Sequence, residues 1–365
     1  MAKVPSYFND FLKDIRLTPN QISDLIKGHK TLSDRLKADE DLSDKIVNIF
    51  LQGSYRRSTA IRPKNGKRSD VDVVVVTNLD QKEYTPEQAH DLFIPFLEKH
   101  YKDKYRVQGR SLGIELSYVD LDLVVTSAPS ETNKSVLEDE GISTDYTIEE
   151  LNEWTIQKSN EFPNDPKSES FLFFEKVAEN DDWKAEPLYI PNRDAAKWEA
   201  TNPLEQIRWT WQKNKDCNTY YINVVKALKW WRRNDNPDGN YPKSYPLEHF
   251  IGVCCPDGIT SIAQGVTETL EKIVNSYPQK PVLTDHGVPE HDVFERLTIE
   301  EYDIFYDRVK IAAELARDAL DTEDVHDSVI KWRKIFGNKF PPSKKETNTF
   351  TKRADQTHIG GNRFA

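Results

Sequence analysis

A run of β-branched residues that opens with two carboxylates constrains this chain more than any other feature. The segment Asp70-Val71-Asp72-Val73-Val74-Val75-Val76-Thr77 has the composition of a buried central strand. Because side chains alternate along a strand, Asp70 and Asp72 point to the same face. Adjacent carboxylates at the start of an apolar strand repel each other and lose hydration, so the sequence predicts a divalent cation between them. Hard oxygen ligands favour Mg²⁺ or Mn²⁺.

A second acidic strand supplies a third candidate ligand. It reads Asp120-Leu121-Asp122-Leu123-Val124-Val125, and Asp122 is the predicted partner of the first two carboxylates. Asp120 faces the same side of this strand and is the competing choice. Three carboxylates on adjacent strands are typical of a two-metal site that transfers phosphoryl groups.

A short turn before the first acidic strand supplies the complementary chemistry. In Leu51-Gln52-Gly53-Ser54-Tyr55, a glycine allows close approach of the backbone to a phosphate, and a hydroxyl and N–H groups can donate to it. Gln52, Gly53 and Ser54 are therefore candidate nucleotide-binding residues. Each motif alone is more often a solvated turn or strand end. Their combination in this order favours a site.

The order of predicted elements indicates an α+β fold with a mixed sheet. Capping boxes at Thr18 and Thr85 predict two helices. Strands are expected over 46–51, 71–77, 105–108, 113–118 and 120–126, and residues 129–191 read as a polar insertion. After Trp198 the pattern is helical. We expect a catalytic domain over 1–200, an all-helical domain over 201–340 and a flexible tail over 341–365.

Two helices of the second domain carry candidate ligand contacts. A stripe at helical spacing predicts the buried face of a helix over 218–233 and leaves Lys226 and Lys229 on other faces; the stripe is Tyr221, Val224, Val225, Leu228 and Trp231. Lys229 is then free to reach a ligand. Ser244 is expected to cap the next helix, where an anion would meet free N–H groups. A solubilising lysine, a simple cap and core packing of Tyr245 are the competing interpretations.

Charge and composition exclude several classes of protein. The net charge of -11 and pI near 5.4 provide no global positive field, so strong binding to a nucleic-acid duplex is not expected. A basic run between the turn and the first acidic strand reads as a solvated face, or as a set of phosphate contacts; it comprises Arg56, Arg57, Arg62, Lys64, Lys67 and Arg68. No apolar run approaches the roughly 18 residues of a membrane span. We expect a cytoplasmic protein without membrane contact.

The ordered motifs resemble the polymerase beta-type nucleotidyltransferase superfamily. Within it, the segment LQGSYRRSTAIRP followed by helices is similar to the bacterial cGAS/DncV-like nucleotidyltransferases, known as CD-NTases, and especially to their clade D. The resemblance extends through WEATNP at 198–203, KALKWW at 226–231 and WRKIFGNKFP at 332–341. It implies a polymerase beta-like catalytic sheet followed by an all-helical domain.

The resemblance also implies roles and an activity. Asp70, Asp72 and Asp122 would hold two Mg²⁺ or Mn²⁺ ions, with Asp122 also orienting the attacking hydroxyl. Lys229 would contact the triphosphate, Ser244 a phosphate and Tyr245 the base. The implied product is a cyclic di- or trinucleotide made from ATP and GTP, with pyrophosphate release, in anti-phage signalling (CBASS). The alternatives are a template-independent or tRNA-type polymerase, a protein adenylyltransferase, and a non-catalytic nucleotide sensor.

The tail raises a question about partners. It ends Gly360-Gly361-Asn362-Arg363-Phe364-Ala365. The resemblance implies either conjugation of Ala365 by a ubiquitin-ligase-like (E1/E2) partner or a peptide-sensing activator, and an unconstrained tail is the competing interpretation. We expect a monomer.

Overall fold

The computed structural model describes residues 4–64, 66–128, 187–235 and 242–343. Most of the predicted insertion and nearly all of the predicted tail, including Ala365, lie outside these residues. The predicted insertion ends too late in the chain, because its last residues belong to a strand, Leu188–Asn192. Pro191 lies inside that strand, and its presence favours a loop in a reading of the sequence alone.

A seven-stranded mixed sheet forms the first half of the described chain, as expected. Its strands are β1 (Ile46–Gln52), β2 (Asp70–Thr77), β3 (Tyr105–Val107), β4 (Leu112–Glu115), β5 (Asp120–Ser127), β6 (Leu188–Asn192) and β7 (Lys197–Thr201). The spatial order is β1-β2-β5-β4-β3, and β6 joins β5 to β7. Only the central pair β2 and β5 is parallel among these strands. The acidic starts of β2 and β5 therefore lie side by side, at the edge of the sheet that is formed by strand ends rather than by an outer strand.

Helices cover one face of this sheet with an apolar layer. They are α2 (Pro19–Lys37), α3 (Gly53–Arg56), α4 (Pro86–Asp91) and α5 (Ile94–Tyr101). Both predicted capping boxes are present, because Thr18 and Thr85 each accept from the backbone N–H three residues later. The shared core joins Leu25 and Leu32 of α2 to Val73 and Val75 of β2. Strand β2 is thus fixed on its apolar face.

In the described part of the chain six helices follow the sheet, as predicted for the second half. They are α6 (Pro203–Asp216), α7 (Tyr221–Asp235), α8 (Ser244–Cys254), α9 (Ile262–Ser276), α10 (Ile299–Asp321) and α11 (Val325–Phe336). The first helix, α1 (Pro5–Ile15), packs in their core, where Phe8 meets Trp332 edge to face at 5.0 Å. The amino terminus thus bridges both halves, while the domain limits at 200 and 340 stay predictions.

Helix length and hydropathy bear on membrane contact. No helix in the described ranges combines the length and apolar character needed to cross a bilayer.

Candidate active site

Four residues form one row across the sheet and place the candidate carboxylates. Gln52 of β1 pairs with Asp72 of β2, which pairs with Asp122 of β5, which pairs with Gly113 of β4. Residues in register on neighbouring strands share a face. Asp72 and Asp122 therefore lie side by side, with Gln52 beside them. Asp70 lies on the same face two residues before Asp72.

The turn at Gly53 brings the backbone against this row. Gly53 adopts a φ of 74°, a conformation that favours glycine, and opens the short helix α3. A Cβ at this position would overlap Oδ2 of Asp72. Glycine is therefore required twice, by backbone conformation and by the approach of the carboxylate. Ser54 follows Gly53 directly in the chain and is half-buried.

Gln108 completes the row, and the sequence analysis missed it. Its amide Nε2 donates to Oδ1 of Asp122 over 3.1 Å. The route is open because Gly113 has no side chain, and a Cβ there would collide with the same amide. A glycine in register beside an acidic residue was the available signal, but it has meaning only once the strand order is known.

The two acids of β5 differ in their partners. Asp120 pairs in register with Asp70 and accepts from Nε of Arg68 over 2.7 Å. Asp122 has Gln108 as its hydrogen-bond partner and no ion pair within the described part of the chain. The charge of Asp120 is therefore balanced by Arg68, while the charge of Asp122 stays largely uncompensated. This difference favours Asp122 over Asp120 as the third ligand.

The pKa values of these carboxyl groups show that burial and mutual repulsion disfavour their charged forms. Burial, with the charges of Asp70 and Asp122, raises the pKa of Asp72 to about 7, and Arg57 offsets only part of that rise. Burial and Asp70 also raise the pKa of Asp122. A divalent cation would remove this repulsion, and three carboxylates are hard oxygen donors of the kind that Mg²⁺ prefers. The donor set fits the predicted metal.

The carboxylates are not collected into a finished metal cage. Among the residues that the structure describes, no group of three His, Cys, Asp or Glu side chains is arranged to hold an ion. The row is a set of neighbouring donors that must turn towards a cation.

A buried charged network joins the sheet domain to the helices near this row, because its Arg57 lies close enough to Asp72 to lower the pKa of that carboxyl. Glu248 of α8 accepts from Nε of Arg57 over 2.6 Å and from the hydroxyl of Thr59 over 2.7 Å. Lys229 of α7 donates to the carbonyl of Thr59 over 3.0 Å, and its Nζ lies 3.6 Å from Glu248. Arg57, Lys229 and Glu248 are each at most 5% exposed. This junction was not foreseen from the sequence.

The prediction that Lys229 is free was wrong. Helix α7 is buried on the face carrying Lys226 and Lys229 as well as on its apolar stripe, because the segment after the Gly53 turn packs against it. Burial lowers the pKa of Lys229 to about 8, against the opposing effect of Glu248. Asp70 also acts on that pKa, so Lys229 lies within electrostatic range of the acidic row.

The basic run is structural in large part, rather than a solvated face. Arg57 is buried in the network, and Nε of Arg62 donates to the carbonyl of Arg16 over 3.1 Å. The ammonium of Lys64 lies 4.0 Å from the ring centroid of Trp230. These cations attach the segment after the turn to α1, α7 and α8.

The first residues of α8 face this junction. Lys243, not Ser244, occupies the cap position, and no side chain makes a capping hydrogen bond there, so the predicted cap was wrong. Tyr245 is half-buried, with the guanidinium of Arg57 5.1 Å from its ring centroid. Its hydroxyl donates to Oδ2 of Asp285 over 2.7 Å. Arg57 thus connects Tyr245 to the acidic row.

Comparison with known proteins identifies the family. Residues 2–160 match the Second Messenger Oligonucleotide or Dinucleotide Synthetase domain. The chain is 48% identical over 353 residues to a probable cyclic AMP-AMP-GMP nucleotide synthase of Salmonella paratyphi B, covering 92% of this chain and 91% of that protein. It is also 48% identical over 346 residues to the cyclic AMP-AMP-GMP synthase of Enterobacter hormaechei subsp. hoffmannii, with the same coverage. The chain belongs to the bacterial cGAS/DncV-like nucleotidyltransferases.

The fold agrees with this assignment. The Escherichia coli MS115-1 CdnC in its complex with HORMA-deltaN has a TM-score of 0.62 and 16% identity, covering 93% of this chain and 98% of the other. The predicted α+β fold with a helical second half is confirmed. The chain is an enzyme, a nucleotidyltransferase that makes an oligonucleotide second messenger, and nucleotidyltransferases of this family use divalent metal ions.

Proposed function

We propose that this enzyme joins two molecules of ATP and one of GTP into a cyclic AMP-AMP-GMP trinucleotide, releasing one pyrophosphate for each bond formed. The row of carboxylates carries the chemistry of the proposal. The product is inferred from two relatives, each 48% identical over 92% of this chain, that are named for this cyclic nucleotide. We extend the family role to anti-phage signalling in the cytoplasm.

We assign the metal to Asp70, Asp72 and Asp122. Bound there, two Mg²⁺ or Mn²⁺ ions would lower the pKa of an attacking ribose hydroxyl and neutralise the phosphate that is transferred. Asp122 is the residue that we expect to accept the proton of that hydroxyl, since it keeps a carboxylate oxygen outside its hydrogen bond with Gln108. The remaining carboxylate oxygens of Asp70 and Asp72 stay available to the ions.

We assign nucleotide binding to residues on both sides of the acidic row, in the turn after β1 and at the start of α8. Gln52, Gly53 and Ser54 lie beside the carboxylates, and their backbone and hydroxyl groups would hold phosphate oxygens. On the other side, Ser244 begins α8 and would contact a phosphate. The first nucleobase would stack on the adjacent Tyr245.

Lys229 needs a rearrangement in this proposal. Its ammonium donates to the carbonyl of Thr59, so binding to a triphosphate requires exchange of that contact for a phosphate oxygen. Asp70 influences its pKa, which supports a position near the acidic row. A triphosphate would add the negative charge that restores a fully protonated Lys229.

The test is a labelling reaction with all four nucleoside triphosphates and Mg²⁺, run beside an Asp70→Ala, Asp72→Ala double variant. Phosphatase-resistant species should form with the wild type only, and their masses should equal two adenylates and one guanylate in a ring. Long ladders would indicate a polymerase, and label on protein would indicate adenylylation. Either result would overturn the proposed product.

The same preparation tests the oligomeric state and the tail. We propose a monomer, which light scattering measures directly. We also propose that Ala365 is a point of conjugation for a ubiquitin-ligase-like partner. Deletion of Ala365 should abolish conjugates formed on co-expression with E1/E2-type proteins. Equal amounts with and without that residue would refute the idea and leave a peptide-sensing activator as the alternative.

A further inference from the structure

The hydrogen bond made by the Tyr245 hydroxyl bears on how this site would recognise a nucleobase. The hydroxyl donates to Oδ2 of Asp285 over 2.7 Å. A phenol has a single proton to donate, and here it is used within the protein. Burial and the nearby carboxylate of Asp285 raise the pKa of Tyr245 far above its ordinary value, so the hydroxyl keeps that proton.

Asp285 is itself held firmly. Its Oδ1 accepts from the backbone N–H groups of Gly287 and Val288, over 2.8 and 3.2 Å. The amide of Gln206 on α6 donates to Oδ2 over 3.3 Å. The Asp285 residue is 7% exposed. The carboxylate therefore links α6, the loop before α10 and the start of α8.

A stack of rings fixes the same loop. His286, next in the chain, lies between Trp209 of α6, at a centroid distance of 3.8 Å, and His249 of α8, at 4.1 Å. The ring of His249 in turn meets Tyr245 edge to face at 6.0 Å. The hydroxyl and part of the ring of Tyr245 thus pack against this wall, and the guanidinium of Arg57 lies over one face of the ring, 5.1 Å from its centroid. The residue is half-buried, so part of its ring surface stays accessible.

We propose that Asp285 is a positioning residue that fixes the ring of Tyr245 through its hydroxyl, so that this platform offers a nucleobase its π surface and no hydrogen-bond donor. This inference rests on the proposed role of Tyr245 in nucleotide binding. A platform of this kind binds adenine and guanine alike, because both present a π face of similar size. A product containing both bases requires such tolerance, and selection between them belongs to other residues.

The test compares Tyr245→Phe, Asp285→Asn and the double variant by steady-state kinetics with ATP and GTP. Asparagine keeps the oxygen that accepts from Gly287 and Val288 but has no acceptor at the second position for the Tyr245 hydroxyl. We expect KM to rise about tenfold to a hundredfold in each single variant, as loss of one hydrogen bond to a charged group would predict. The factor should be equal for ATP and GTP, with kcat nearly unchanged, and the double variant should match the single ones.

Two substitutions away from the pair serve as matched controls. Asp292→Asn changes an aspartate of the same loop whose carboxylate accepts from the backbone of Leu283 and Phe294. Tyr302→Phe removes a buried hydroxyl that donates to the carbonyl of Tyr277. Among the described residues, neither side chain forms a hydrogen bond with Tyr245 or Asp285, so both substitutions should leave KM unchanged even where they lower the thermal midpoint of unfolding.

Three outcomes would overturn the inference. A selective loss for one nucleotide in Tyr245→Phe would show that the hydroxyl reads a base edge. Additive effects in the double variant would show that Asp285 does not act through Tyr245. An unchanged KM in both single variants would remove the positioning role. If the wild type makes no cyclic product, the proposed function fails, and calorimetric titration of ATP and GTP on the same variants still decides the inference.

Discussion

Two regions of this enzyme concentrate charge, and they balance it in opposite ways. At the sheet edge, Asp72 lies among other carboxylates, and burial and repulsion raise its pKa to about 7. At the domain junction, Glu248 is more deeply buried, yet Arg57 and Lys229 outweigh burial and hold its pKa below the ordinary value. The junction is complete as it stands. At the sheet edge, the repulsion among the carboxylates is removed only when a cation binds to them.

The largest expected effect separates two acids of one strand. Asp122→Asn should lower the turnover number by at least about a thousandfold, or ~4 kcal/mol in the barrier, because it removes a metal ligand and proton acceptor. Asp120→Asn changes the neighbouring acid on the same face, which is paired with Arg68, and should cost less than about tenfold. Initial rates of pyrophosphate release measure both. Equal losses would place Asp120 among the ligands.

The next effect concerns stability at the junction. Glu248→Gln leaves two buried cations without their counter-ion, so the free energy of unfolding should fall by about 3 kcal/mol. Urea denaturation followed by tryptophan fluorescence measures this change, with Glu271→Gln as the control. Glu271 forms a pair with Arg317 on the surface and should contribute less than about 1 kcal/mol. A similar small loss in Glu248→Gln would show that the junction does not depend on charge balance.

A third experiment removes the charge of Asp72 and tests whether this carboxylate destabilises the folded protein at high pH. Because the folded-state pKa of Asp72 is raised, the folded protein loses stability as pH rises from about 4 to about 7. Asp72→Asn removes this penalty. In EDTA it should unfold at a temperature at least about 3 °C higher than the wild type at pH 8, and at the same temperature near pH 4.

Metal addition sharpens the same measurement. Mg²⁺ at pH 8 should stabilise the wild type more than the variant, since binding to the folded state alone raises stability by mass action. Parallel melting curves for the two proteins from pH 4 to pH 8, with and without Mg²⁺, would show that Asp72 carries no electrostatic strain.

The two regions also differ in how much of them the sequence predicted. Strand alternation placed Asp70 and Asp72 on one face, and that reasoning needs only local geometry. The pairing of Asp72 with Asp122 depends on which strands become neighbours, so alternation within one strand could not establish it. The order of the motifs suggested the pairing, and the family resemblance supported it. The helical pattern of α7 likewise gave the correct apolar stripe. It failed for Lys229, because a periodicity within one helix contains no information about a second partner that covers another face.

The junction was missed because its partners are far apart in sequence. Arg57 and Glu248 are separated by 191 residues, and each resembles an ordinary solvated charge when considered alone. In the same way, β6 was read as the end of an insertion because the polar, proline-containing sequence before it weakens the strand pattern, although the strand pairs on both sides. Such features arise from tertiary contacts, which override local preference.

The smallest expected effect concerns the hydrogen bond between Gln108 and Asp122 at the sheet edge. Gln108 donates to Asp122, and this bond both restrains the carboxylate and favours its charged form. Gln108→Leu keeps a side chain of similar size and removes the donor, so the carboxylate should turn towards the metal more freely but at a higher pKa. We expect the concentration of Mg²⁺ at half-maximal rate to change by less than about threefold at pH 8.

The same variant should show a larger difference at lower pH, because an acid with a raised pKa gains its proton there and then competes with the metal. The activity of Gln108→Leu, relative to wild type, should therefore fall as pH decreases from 8 to 6. Arg106 also lowers the pKa of Asp122 from its exposed position, and Arg106→Gln offers a second route to the same shift. Agreement between these two substitutions would attribute the change to the charge state of Asp122. A pH-independent ratio in both would assign Gln108 a purely steric role, with the sheet edge already arranged for its cation.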